Sequence, residues 1–117
     1  MRAAAIRSHV AALPGATLSV QWGDDHVYKV GGKMFCVMRP PGARQQSISF
    51  KTGDDSFPIL TAVEGIVPAP YLARARWVYL DRLTRLPAAE LKAYVTRAHA
   101  IVAAGLTRKR RAELGLA

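Results

Sequence analysis

The sequence predicts an α+β domain, an antiparallel sheet with helices packed on one face. Three observations carry this. Gly31-Gly32 sits between Lys29-Val30 and Lys33-Met34-Phe35 as a two-residue hairpin turn, because only glycine takes positive φ at both central positions without strain. Thr17-Leu18-Ser19-Val20-Gln21-Trp22 alternates polar and apolar, the period of a half-buried strand. Leu91, Tyr94, Val95, Ala98, Ile101 and Val102 recur at helical spacing between Pro87 and Gly105.

The elements follow in order. Ile6, Val10 and Leu13 share one face of an N-terminal helix, stopped by Pro14-Gly15. The strand to Trp22 ends in the polar turn Gly23-Asp24-Asp25, and His26 to Val30 begins the next. Across Gly31-Gly32 a regular register sets Val30 opposite Lys33, Tyr28 opposite Phe35 and His26 opposite Val37. The return strand stops at Pro40-Pro41-Gly42, which cannot continue a ladder. After a long loop, Arg39 to Arg44, a further strand runs from Gln46 to Lys51. Thr52 to Ser56 supplies capping side chains for a short helix over Phe57–Val63, broken by Gly65, Pro68 and Pro70. Trp77-Val78-Tyr79-Leu80 is a strand. In the last long helix Pro87 suits the first turn, Glu90 complements the positive end and Gly105 fits the position past the end. Residues 106–117 form a basic C-terminal tail, either a final helical turn or loose chain.

At 117 residues the chain is one domain, 1–117. No apolar run approaches the roughly 18 residues that cross a bilayer. Arg7 and His9 interrupt any N-terminal signal core. Cys36 is the single cysteine, which excludes an internal disulfide and a thiolate metal cage. A cytoplasmic protein is expected, without membrane contact.

The formal net charge is +9, and it is uneven. Residues 70–117 carry ten basic side chains against three acidic, and residues 1–69 seven against five. Such a surface attracts polyanions by long-range field and counterion release.

Few residues suggest catalysis. Asp24-Asp25-His26 is the most enzyme-like cluster, yet neighbours entering a strand point apart and Gly-Asp-Asp is ordinary turn chemistry. Asp54-Asp55-Ser56 reads as a helix cap, Cys36 as a small buried hydrophobe, and His9 and His99 as surface residues on helices. No catalytic residue, metal ligand or cofactor is assigned. The candidate sites are basic. Lys29 and Lys33 bracket one hairpin tip, and Arg39 and Arg44 bracket the next loop, with Gln45 and Gln46 able to hydrogen-bond bases. Arg74, Arg76 and the run Arg108, Lys109, Arg110, Arg111 complete the set. Double-stranded DNA is the expected partner. The rival reading is a protein-interaction or small-ligand module using an apolar surface around Trp22, Tyr71 and Trp77.

Four segments carry a family resemblance: Trp22-Gly23, Lys29 to Phe35, Ser49-Phe50-Lys51, and Pro68-Ala69-Pro70-Tyr71-Leu72 running into Arg76-Trp77. Together, over about Leu13 to Ile101, the chain resembles the MmcQ/YjbR family of small bacterial proteins. That resemblance implies a frataxin-like layout with projecting hairpins, a double wing, and DNA binding rather than catalysis. In the family the 71–77 stretch reads His/Tyr-Leu-Asn-Lys-x-His-Trp. Tyr71, Leu72 and Trp77 match it and Arg74 keeps the charge, while Ala73 and Arg76 depart from it. The iron chemistry of frataxins is not implied, because hard cations want carboxylates and this chain has eight acids against seventeen basic residues.

Overall fold

The structure, a computed structural model, describes residues 2–116; Met1 and Ala117, the outermost residues of the expected domain and tail, lie outside it. Six strands form one antiparallel sheet in the order β1-β2-β3-β4-β6-β5. They are β1 (Ala16–Gln21), β2 (Asp25–Val30), β3 (Lys33–Met38), β4 (Ile48–Lys51), β5 (Ile66–Pro68) and β6 (Trp77–Leu80). Helix α1 (Arg2–Ala11) precedes the sheet, α2 (Ser56–Thr61) lies between β4 and β5, and α3 (Ala88–Ala104) and α4 (Arg108–Glu113) follow β6. The expected α+β architecture is the observed one.

Alternation along the strands divides the sheet into two faces. Tyr28, Val30, Cys36, Met38, Ile48, Phe50, Val78 and Leu80 meet Ile6 and Val10 of α1, Leu60 of α2 and Leu91, Val95 and Ala98 of α3 in one buried core. Helix α3 lies across β3 and β4, with α1 against α3 and β1. Asp55 caps α2 by accepting the Ser56 N–H at 2.9 Å.

Several local expectations are corrected. Lys29 pairs with Met34, but Tyr28 pairs with Cys36 and His26 with Met38. Phe35 is the extra residue of a β-bulge. The bulge turns both Phe35 and Cys36 into the core, which the regular register cannot do. Phe35 there meets His99 edge-on, with ring centroids 5.2 Å apart. His99 is therefore no surface residue. It is 7% exposed, and its Nε2–H donates to the Pro14 carbonyl at 2.6 Å, tying α3 to the end of the α1 segment. Tyr94 and Ile101 are only half-buried. Gly105 closes α3 at φ −80°, an ordinary helical angle, so it is not a left-handed stop.

Strand β5 is an addition to the elements expected from the sequence. Three residues ending in proline offer no period to read, and pairing with β6 makes the strand. The C-terminal segment is not loose chain. Thr107 caps α4 through its hydroxyl, which accepts the Arg110 N–H at 3.0 Å. Leu106 is buried against the β2–β3 turn, and Leu114 and Leu116 approach Gly15.

Candidate nucleic-acid interface

The basic residues sort first by the direction of β3. Successive antiparallel hairpins share a strand, so their turns fall at opposite ends of it. Lys29 and Lys33 flank the turn that begins β3, and Arg39 and Arg44 lie in the loop that follows its other end. Six residues of strand separate the two by about 20 Å. The cationic hairpin tip and the cationic loop expected to dock together on DNA are therefore not neighbours. Nor does the Gly31-Gly32 turn project freely: a Cβ on Gly31 would come within 2.6 Å of Leu106 Cδ1.

At the Arg39–Arg44 end the chain forms a cleft. Arg2 from the start of α1, Arg44, Gln45 and Gln46 from the β3–β4 loop, and Arg82, Leu83 and Thr84 after β6 line a cavity of about 410 Å³. Hydrogen bonds fix its walls. Arg2 Nη1 donates to the Leu86 carbonyl at 2.8 Å and to that of Leu83 at 3.3 Å. Gln45 Nε2 donates to the Asp81 carbonyl at 2.7 Å. Gln46 Nε2 donates to Pro40 and Ala43, at 3.0 and 3.2 Å, while its Oε1 accepts from Arg7 at 2.7 Å. Both glutamine amide nitrogens thus hold the loop and are not free to read bases, contrary to the expectation.

Arg7 is a residue that no motif or spacing singles out. Besides Gln46, its guanidinium donates to His26 Nδ1 at 3.3 Å and to the Arg39 carbonyl. It joins α1 to the two strand ends that frame the loop. His26 is thereby turned to the helix side, away from Asp25. Asp25 instead lies 4.0 Å from Arg39.

Electrostatically the cleft is one-sided. Among the described residues, five arginines (Arg39, Arg76, Arg85, Arg97 and Arg110) take up six of the eight acids, and twelve basic side chains have no carboxylate within 4.0 Å. Arg2, Arg44 and Arg82 are all in the second group. The neighbouring acid, Asp81, is occupied by Arg85, whose Nε donates to Oδ1 at 2.7 Å and Nη2 to Oδ2 at 3.0 Å. This two-pronged hydrogen bond holds the Asp81 carboxyl below the usual carboxylate range.

The other expected basic residues divide. Arg76 is structural: it pairs with Asp54 at 3.0 Å, lies over the Phe57 ring at 5.4 Å, and its carbonyl accepts from Thr52 N and Oγ1. Arg74 is exposed. In α4, Arg108 and Lys109 are exposed, Arg110 pairs with Glu113 at 3.4 Å, and Arg111 is partly buried with its Nε unpartnered. Helix α4 shares the Lys33 end of the sheet through Leu106 and not the cleft end.

The face turned away from the helices holds a second concavity. Trp22, Met34, Pro70, Tyr71 and Leu72 line an apolar groove of about 470 Å³. Trp22 is 64% exposed at φ +51°, and Tyr71 fully exposed at φ +67°. Such angles are strained for bulky side chains, and strain of this kind gathers at functional sites. Trp77 is not part of the surface. It is 3% exposed, and its backbone ties down the 69–72 loop through bonds of 2.9 Å from Ala69 N–H and 3.2 Å to the Leu72 carbonyl. Segments distant in sequence that carried the resemblance (Trp22, Met34, Tyr71-Leu72) thus converge on one groove. Cys36 lies on the opposite face, wholly buried, and burial pushes its thiol far up from the ordinary range.

A family model described as YjbR matches residues 11–101. The chain belongs to the YjbR family. Its fold is similar to the crystal structure of Deinococcus radiodurans protein DR2400, described as a DUF419 domain, with a TM-score of 0.84 at 24% identity. The match covers 98% of this chain and 88% of that one. No curated protein matches the chain. Among the described residues, no helix is long and apolar enough to cross a membrane.

Proposed function

We propose that this YjbR protein is a cytoplasmic, non-enzymatic DNA-binding protein that grips duplex phosphates. Arg2, Arg44 and Arg82 make the principal contacts, and the exposed basic residues of α4 are auxiliary. One observation carries the reading: three arginines from distant parts of the chain converge on a cleft whose nearest acid is already neutralised. Guanidinium groups gathered without carboxylate partners repel one another, and a phosphate backbone relieves that repulsion while accepting bidentate hydrogen bonds. Helix α4 adds support, since Arg108 and Lys109 stand exposed in its first turn. Cations there oppose the helix dipole and contribute nothing to helix stability.

Base reading plays little part, because the glutamines beside the cleft hold the loop. Contacts to roughly three to five phosphates give a log–log salt slope of about −3 to −4.5. A gel-shift titration against random duplex DNA at two salt concentrations tests this. Binding that weakens with salt at that slope, with little dependence on sequence, is expected. Affinity indifferent to salt, or no binding at low salt, overturns the proposal.

A second reading rests on the left-handed Trp22 and Tyr71. In it the apolar groove takes a small ligand or a partner's side chain. Trp77 is buried, so a ligand in the groove changes the fluorescence of Trp22 selectively, and Trp22→Phe abolishes the change.

A further inference from the structure

The two edges of the sheet are finished differently. At one edge β5 is three residues long and ends in Pro68, which offers no N–H. At the other, β1 runs six residues in unbroken register with β2, from Ala16↔Val30 to Gln21↔Asp25, with no bulge, proline or lysine. Alternate N–H and C=O groups of β1 therefore face outward. Leu18 and Val20, 50% and 58% exposed, stand on the same face beside them. A regular, neutral, apolar edge is the feature that soluble proteins ordinarily blunt, because another strand can add to it.

We propose that β1 pairs antiparallel with β1 of a second copy, joining two six-stranded sheets across a two-fold axis at Ser19. Charge argues for a second copy at this edge. Two molecules of net charge +9 repel each other, yet from Val10 to Gly23 no residue is charged. This neutral stretch lets the copies meet without opposing like charges. The register about Ser19 sets Leu18 opposite the partner's Val20 and Thr17 opposite the partner's Gln21. Apolar side chains then meet on one face and polar side chains on the other. This is the cross-strand matching that stabilises a sheet. The interface is isologous, so it closes at two copies and leaves the blunted β5 edges outermost.

Sedimentation over a concentration series tests the proposal on the whole chain, alongside Val20→Lys and Ser19→Cys. The wild type associates to twice its 12.7 kDa. Val20→Lys, an exposed substitution whose folding circular dichroism confirms, raises the dimer dissociation constant by roughly tenfold or more. Ser19→Cys forms a disulfide-linked dimer under mild oxidation, since the strand centres lie about 4.5–5.5 Å apart across the axis. Cys36 is buried and does not compete. A wild type monomeric at every concentration overturns the proposal. So does a dimer that neither Val20→Lys weakens nor Ser19→Cys captures.

Discussion

At one end of β3 the chain reverses through Gly31-Gly32, and Leu106 packs over the turn so closely that Gly31 has no room for a side chain. At the other end it takes a long path from Arg39 to Arg44 before β4, and the space it encloses with Arg2 and Arg82 stays open. Both ends carry cations. At the first, packing fixes the backbone and Lys33 stands beside a closed surface. At the second, hydrogen bonds from Arg7, Gln45 and Gln46 hold the loop while Arg44 and Arg82 are left without carboxylates. Equal charge does not make equal sites. On the proposed reading, a cation contributes to phosphate binding when the fold gathers it with others around a concavity and leaves it without a carboxylate.

Substitutions at the turn give the largest stability effect. Gly31→Val introduces both a strained φ of +60° and a clash with Leu106, and about 3 kcal/mol of destabilisation is expected. Gly32, at φ +83°, faces open space where a side chain would begin. Gly32→Val therefore carries the backbone penalty alone, on the order of 1–2 kcal/mol. Urea unfolding of the two variants measures the difference. Equal losses would mean that Leu106 does not close the turn.

The open end has its own sensitive glycine. At Gly65, φ +83°, a methyl group runs into the Arg85 guanidinium. Gly65→Ala is expected to destabilise by about 2 kcal/mol and to free Asp81 to compete for the cleft arginines, weakening DNA binding as well. Arg85→Ala separates the two effects, because it frees Asp81 without the backbone strain.

Acid gives the smallest effect. The Asp81 carboxyl is held below its usual range by Arg85. Its contribution is therefore complete above the unfolded carboxyl value, near about pH 4, and is lost as pH falls through the lower folded value. Stability of the wild type should decline somewhat more steeply below about pH 4 than that of Asp81→Asn. Parallel curves would mean that the pair adds nothing.

The same contrast explains what the sequence could and could not convey. The turn at Gly31-Gly32, strand β6 and helix α3 rest on local chemistry: paired glycines, a β-branched and aromatic run, a helical period. The bulge at Phe35 is decided by two side chains competing for the core, and β5 by an available partner strand. The burial of His99 depends on the Pro14 carbonyl, 85 residues distant in the chain. The cleft is still less local, because Arg2, Arg44 and Arg82 belong to three separate parts of the chain. Their common signal in sequence is only the excess of positive charge. That successive hairpins turn at opposite ends of a shared strand does follow from sequence order alone, and it excludes two adjacent wings there.

Charge reversal at the two ends tests the central claim most directly. Arg44→Glu/Arg82→Glu and Lys33→Glu are compared with wild type in fluorescence-anisotropy titrations of random duplex DNA at fixed low salt. The cleft variant should lose at least roughly tenfold in affinity, about 1.4 kcal/mol, whereas Lys33→Glu should stay within about threefold of wild type, the scale of one exposed charge. Equal losses at both ends, or a cleft variant that binds like wild type, would contradict the assignment of DNA binding to the arginine cleft.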